Sequence, residues 1–397
     1  MGNPPMEVAP APAGAAPINL FYSQNTWIEG AAVDQLHQVA CLAGVRRVAA
    51  FPDLHPGKYG PVGCAVLADR IYPHLIGNDI GCGMSLFALD KPARKLRLDK
   101  VAQKLRALEG PWTADANQYL RNAGLPSGLE RQSLGTLGGG NHFCELQSVG
   151  AVYDETSLAA IGLSKGDALL LVHSGSRSLG TDVFNRVFDQ HHGLEPTTQQ
   201  AQAYMQAHDQ AVVWARVNRQ VIALRAADAL RADIRLIADS PHNLIELRDD
   251  GYLHRKGAAK AEGTLVPIAG SRDAPSFLVK PCGNAAASLS SLAHGSGRRY
   301  DRASMTGRAG KVKSDRERLE RTSFGGHVIC DDRQLLIEEA PLAYKDPEQV
   351  MADLAAAGLA EKLAALHPLI TFKKARDEER TQRREKQSRL RDRRRGR

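Results

Sequence analysis

Between residues 18 and 372, short β-like apolar runs alternate with glycine-rich turns, and no Ser/Gly-rich or Pro-rich linker interrupts them. That continuity constrains the fold most. A chain of 397 residues is long enough for two ordinary domains, yet a segment without a linker has to bury its runs in one body. The runs include residues 65–67, 168–173 and 276–279. Among them, residues 195–232 are rich in Ala, Gln, Arg and Leu and read as one long helix. Ala211, Val212, Ala215 and Ile222 share a face at helical spacing, so its expected role is packing. A second helical segment is expected over residues 347–366, beginning Pro-Glu and carrying Val350, Leu354 and Leu363. No internal repeat is present. The expectation is an α+β fold: a single domain of mixed β-sheets surrounded by helices, with its chemistry in the glycine-rich loops.

Composition excludes several classes of function. Aromatic residues make up only 5%, which argues against a surface that grips single strands mainly by stacking bases on rings. No run of about 18 apolar residues is present, so no membrane span is expected. Residues 1–17 are Pro/Ala-rich without a basic start or an apolar core, and read as a disordered leader, not a signal peptide. A cytoplasmic location follows as an expectation. The formal charge of +8 is local: residues 373–397 hold 13 of the 52 Lys/Arg but 5 of the 44 Asp/Glu, leaving 39 of each sign in residues 1–372. The basic character therefore belongs to a tail, residues 374–397, suited to non-specific polyanion binding or to being a solvated extension. The six cysteines, at 41, 64, 82, 144, 282 and 330, show no CxxC pairing. Most are expected to be buried thiols.

The polar residues gather in the glycine-rich loops. Gly77-Asn-Asp-Ile-Gly-Cys-Gly83 sets Asp79 and Cys82 three residues apart, a half-site for a metal or simply a turn Asp beside a buried Cys. Histidines follow in similar settings: His142 after Gly138-Gly-Gly-Asn141, His173 at the end of an apolar run, His242 between Pro241 and Asn243. Neutral imidazole is the commonest metal ligand when a second acceptor fixes its other nitrogen. Each alone reads more readily as structural; their shared setting in turns shifts the balance. Gly135, Gly138, Gly139 and Gly140 have the wrong spacing for a dinucleotide fingerprint and form no Walker motif. Clustered backbone N–H groups still suit an anion, and Arg177 could add a bidentate contact. In Ala293-His-Gly-Ser-Gly-Arg-Arg299, His294 has open space for attack on a phosphate, with Arg298 and Arg299 to offset charge. The other reading is a histidine in a polar turn.

Six ordered strings, Phe-Pro-Asp-Leu-His-Pro-Gly-Lys, Asp-Ile-Gly-Cys-Gly-Met, Gly-Gly-Gly-Asn-His-Phe, His-Ser-Gly-Ser-Arg, His-Gly-Ser-Gly-Arg and Ala-Tyr-Lys-Asp, resemble those of the RtcB family of RNA-splicing ligases. The likeness spans about residues 51–373, and the resemblance implies an RtcB-like catalytic domain over residues 18–373. It implies two Mn²⁺ ions held by Cys82 as bridge with Asp79, His142, His173 and His242, although Cys and His alone would suggest zinc. It implies that His294 attacks the α-phosphate of GTP, that GMP passes to an RNA 3′-phosphate, and that a 5′-hydroxyl then displaces GMP. A 2′,3′-cyclic phosphate end would first be hydrolysed. The family's guanylate pocket maps onto Asn141, Glu145, Ser271, Ser276 and Lys373, with Asp53 in a supporting role.

The chain departs from the family at Gly270-Ser-Arg-Asp273, where most members read Gly-Ser-Met-Gly; at Pro241, often a histidine; and in the tail. These differences resemble the release-factor-H-coupled branch, which implies RNA repair and a functional link to a release-factor-like protein. Two other functions compete: a metal-dependent RNA end-processing phosphodiesterase that does not ligate, and a non-catalytic RNA-binding protein acting through its tail.

Overall fold

The computed structural model describes residues 14–374 except 111, 113, 264, 284, 310–316 and 318. Most of the expected leader and the tail from residue 375 onward lie outside the described residues. Within the stretch read as leader, Ala16 is already buried and donates its N–H to the Ala40 carbonyl at 2.9 Å.

One sheet carries the strands Ile18–Leu20, Val45–His55, Val62–Ala68, Gly251–Lys256 and Asn243–Arg248 in that spatial order. A larger sheet runs Val266–Ile268, Ser276–Pro281, Ala360–Phe372, Phe143–Val152, Asp167–Ser174, Gly83–Pro92 and Ile234–Pro241, with His327–Ile329 beside Ala360–Phe372. Its two edge strands approach one another, so it is nearly closed. A short pair, Ala258–Lys260 with Ser291–Ala293, forms a third sheet. Pairing is mixed: among the described residues, Ile18–Leu20 with Val45–His55 and His327–Ile329 with Ala360–Phe372 run parallel, and the other strand pairs run antiparallel. Helices pack around these sheets, as an α+β reading requires.

The run at 168–173 shows why it reads as continuous and not alternating. Leu170 and Val172 enter one core cluster with Phe87, Cys144 and Ile222, while Leu169 and Leu171 enter another with Leu86 and Leu366. A strand covered on both faces needs apolar side chains at every position.

The long helix spans Gln199–Leu230, capped by the Thr198 hydroxyl accepting from the Ala201 N–H and ended by Arg231 at φ 53. Ala211, Ala215 and Ile222 are fully buried, as the packing role expects. Two polar residues add a second role. Asn218 and Arg219, both buried, hold the glycine loops described below.

The second helix corrects the sequence expectation. It covers only Pro347–Ala356, and Leu363 lies in the strand Ala360–Phe372. Gly358, at φ +65, takes the left-handed conformation that ends the helix. A short buried apolar run has no periodicity that separates helix from strand. The cysteine expectation is also corrected: all six are free thiols, but only Cys64, Cys82 and Cys144 are buried.

Candidate active site

Strand register brings distant motifs to one place. Met84 and Phe143 both pair with His173, and Gly83 pairs with Ser174 and Pro241. Cys82, His142 and His242 each lie one residue beyond such a pair, so four neighbouring strands end at a common level. The loop carrying Asp79 and Cys82 rests on the long helix. Gly81 sits at φ +72, where a Cβ would lie 2.8 Å from Val212 Cα. Arg219 reaches from that helix to the Gly81 carbonyl at 2.8 Å and the Ser174 carbonyl at 3.0 Å, while Asp239 balances its buried charge. Asn218 accepts from the Gly135 N–H and donates to the Thr136 carbonyl.

Asp79, Cys82, His142, His173 and His242 form one connected cluster. The Cys82 thiol lies 3.3 Å from His142 Nε2 and 3.2 Å from His173 Nε2. His173 Nε2 lies 3.3 Å from His242 Nε2, and His142 Nε2 lies 2.9 Å from Asp79 Oδ2. Candidate ligand atoms of Cys82, His142 and His173 all fall within 4.8 Å of one another. The tautomers follow from the outer contacts. His142 Nδ1 faces the Leu137 carbonyl at 3.0 Å and His173 Nδ1 faces the Asn141 carbonyl at 3.2 Å. A carbonyl only accepts, so Nδ1 carries the proton and a neutral ring presents a bare Nε2.

Burial holds His173 and His242 neutral, pushing both well below the usual imidazole range. Burial, and then the Asp79 carboxylate, push the Cys82 thiol up. Lone pairs converging without donors, beside a thiol and a carboxylate, suit a cation. His242 Nδ1 adds a buried nitrogen without a partner among the described residues. The residues present fit a metal site.

His294 lies beside this cluster, its ring 4.5 Å from that of His242. Its Nδ1 is 2.6 Å from Asp53 Oδ2, and its backbone N–H donates to the same oxygen at 3.1 Å. Asp53 is fully buried, so the carboxylate fixes the ring and leaves Nε2 as the available nitrogen. Lys345 donates to the Pro52 and Leu54 carbonyls at 2.9 and 2.6 Å, clamping the backbone on either side of Asp53. That explains the Ala-Tyr-Lys-Asp string, whose function the sequence left open.

A cavity of about 460 Å³ opens beside His294 and His173, and Asn141, Glu145, Ser271, Ser276 and Lys373 all line it. Glu145 is buried, accepting from Gln147 Nε2 at 2.6 Å and from the Thr371 hydroxyl. Burial raises its carboxyl to about 7 against the lowering effects of Thr371, Gln147 and Lys373. Ser276 Oγ accepts from Gln147 and from the Gly270 N–H. Lys373 donates to the Gly140 and His142 carbonyls at 3.1 and 3.2 Å, so it also steadies the loop bearing His142.

Sequence reasoning missed the Glu339 centre. This buried carboxylate gathers Arg298 at 3.1 Å, Arg302 at 3.2 Å, Lys373 at 3.7 Å and the Tyr344 hydroxyl. Arg298 lines the cavity as expected but is bound to Glu339, whereas Arg299 stacks over Trp27 and Tyr300. Arg177 does not line the cavity. It packs on Gly138, and its Nε donates to the Thr136 hydroxyl. No local motif flagged Glu339, which becomes central only through long-range packing.

The family model described as "tRNA-splicing ligase RtcB" matches residues 35–118 and 114–374. The chain is 43% identical over 362 residues to RNA-splicing ligase RtcB2 of Escherichia coli, covering 88% of this chain and 94% of that protein. It is 30% identical over 431 residues to RNA-splicing ligase RtcB of Mycobacterium tuberculosis, covering 84% and 99%. Such coverage makes the chain a ligase enzyme. It belongs to the RtcB family.

Proposed function

We propose that this ligase joins RNA 3′-phosphate or 2′,3′-cyclic phosphate ends to 5′-hydroxyl ends, consuming GTP and depending on Mn²⁺. The observation carrying this reading is a histidine held by a buried carboxylate and set against a thiol–imidazole cluster at the wall of a nucleotide-sized cavity. Asp79, Cys82, His142, His173 and His242 are the residues that would hold two Mn²⁺ ions, whose chemistry is to neutralise charge on phosphate oxygens.

The protein's own groups do the remaining work. Asp53 holds His294 with its Nδ1 proton engaged and its Nε2 lone pair presented. His294 attacks the α-phosphorus of GTP; the P–N bond forms as the bond to pyrophosphate breaks. An RNA 3′-phosphate oxygen then displaces His294 and takes the GMP. The 5′-hydroxyl of the second RNA attacks that 3′-phosphate, its proton is lost, and GMP leaves. Glu145, Asn141, Ser271, Ser276 and Lys373 are assigned to the guanylate. Mending broken RNA ends in the cytoplasm, with a functional link to a release-factor-like protein, is the biological role we attach to this chemistry. Among the described residues no helix is long and apolar enough to cross a membrane.

Incubation with Mn²⁺ and α-labelled GTP is expected to give an acid-labile protein–GMP adduct that His294→Ala abolishes. Full labelling of that variant would refute the assignment of the nucleophile. Hydrolysis of cyclic phosphate ends without GTP or ligation would instead favour an end-processing phosphodiesterase.

A further inference from the structure

The cavity wall contains a cation that the proposed reaction leaves without a task. Arg272 is 6% exposed and lines the cavity. Its Nη2 donates to the Leu336 carbonyl at 3.0 Å, but Nη1, also buried, has no acceptor among the described residues. The neighbouring cations differ. Arg298 and Arg302 are both bound to Glu339, and Lys373 already donates to the Gly140 and His142 carbonyls. A buried guanidinium N–H with no acceptor is costly, and such a group in a ligand cavity is a donor awaiting one.

Its position indicates what would supply the acceptor. Arg272 lines the same cavity as Glu145, Lys373, Glu339 and Tyr344. His294, where a nucleotide's phosphate has to come, is held by Asp53 and packs against His242. A carboxylate and a guanidinium together match one purine edge: a keto oxygen at position 6 beside an N1–H. Adenine presents the reverse, an amino group beside a bare nitrogen.

We propose that Arg272 reads the base, its Nη1–H donating to the 6-keto oxygen of a purine whose N1–H is accepted by Glu145. This rests on the guanylate-pocket reading above and adds to it a specificity-determining residue at the point where the chain departs from the family string.

The test is equilibrium binding by calorimetry, with no turnover, of GDP, IDP and ADP to the full-length protein and to Arg272→Met and Arg272→Lys at fixed Mn²⁺. IDP keeps the 6-keto group and N1–H, and ADP has neither. Arg272→Met is expected to weaken GDP and IDP on the order of tenfold and leave ADP within about twofold. Equal losses for all three ligands would place Arg272 on the phosphates or in the scaffold and overturn the proposal, as would no loss at all. Should Arg272→Met fail to fold by circular dichroism, Arg272→Lys carries the same comparison, with a smaller loss confined to GDP and IDP. Equal GDP and ADP affinity in the unmodified protein would defeat the pocket reading itself. A GDP preference that survives undiminished in both variants would defeat only the role of Arg272.

Discussion

Replacing Asp53 by Asn tests the link between fold and chemistry most directly. The carboxylate accepts two hydrogen bonds from His294, at 2.6 Å from Nδ1 and 3.1 Å from the backbone N–H. Bonds to an ionised acceptor are worth roughly 1.5–3 kcal/mol each, and neutral ones about 1 kcal/mol. Asn keeps the shape and removes the charge, so the loss should be about 1–4 kcal/mol in orienting His294. If expressed fully in the barrier, that slows adduct formation by about 5- to 1,000-fold. A larger loss, toward ~10⁴-fold, is expected if the amide turns its NH₂ to Nδ1 and forces the other tautomer. The backbone should stay in place, because Lys345 holds the Pro52 and Leu54 carbonyls independently of the Asp53 side chain. The assay is single-turnover labelling with α-labelled GTP over a range of concentrations, with circular dichroism as the check on folding. The maximal rate should fall while the GTP concentration at half-maximum stays close to that of the unmodified protein. A folded Asp53→Asn protein that labels at the original rate would show that the carboxylate does not orient the nucleophile.

Cys82→Ser removes the thiol shared by His142 and His173; Mn²⁺ affinity, followed by paramagnetic resonance of the free ion, should fall at least about tenfold, and unchanged affinity would remove Cys82 from the ligand set. Glu145 has its carboxyl raised by burial to about 7, so the acceptor form grows as pH rises through that value. GDP affinity should therefore increase between about pH 6 and 8 and lose this slope in Glu145→Gln; a slope shared by both proteins would exclude Glu145 as its source. The linkage has the opposite sign for stability. The folded state binds a proton that the unfolded carboxyl has already released, so this contribution is full below the unfolded value and is lost as pH rises through about 7. Gly81→Ala forces a Cβ into the left-handed region and to 2.8 Å from Val212 Cα; a destabilisation of at least about 2 kcal/mol is expected in urea melts, and a change under 0.5 kcal/mol would mean the loop does not bear on the helix.

Much of the site was legible because its chemistry is written in local strings. Cys82, His142, His173 and His294 each stand in a turn or at a strand end with glycines close by, and His242 stands between Pro241 and Asn243. The long helix expected over residues 195–232 is present as Gln199–Leu230, since 3.6-residue periodicity sustained over many turns is a strong signal. Residues 347–366 fail on the same criterion: Leu363, nine residues after Leu354, falls off the helical face shared by Val350 and Leu354, and Gly358 ends the helix before the rest enters the large sheet.

What the chain determined by itself is the inventory: which residues can bind a cation, which histidine stands in open space, and where the excess positive charge lies. Tertiary structure decided which of these meet and in what state. Register across four strands, not spacing in sequence, sets the 3.3 Å approach of His173 to His242. Burial, a property of the whole fold, keeps those imidazoles neutral and raises Glu145. Asp53 and His294 are 241 residues apart, and Glu339 draws Arg298, Arg302 and Lys373 from separate segments. Local propensity cannot encode such pairs; each exists because the packed core leaves a buried charge one place to find its partner.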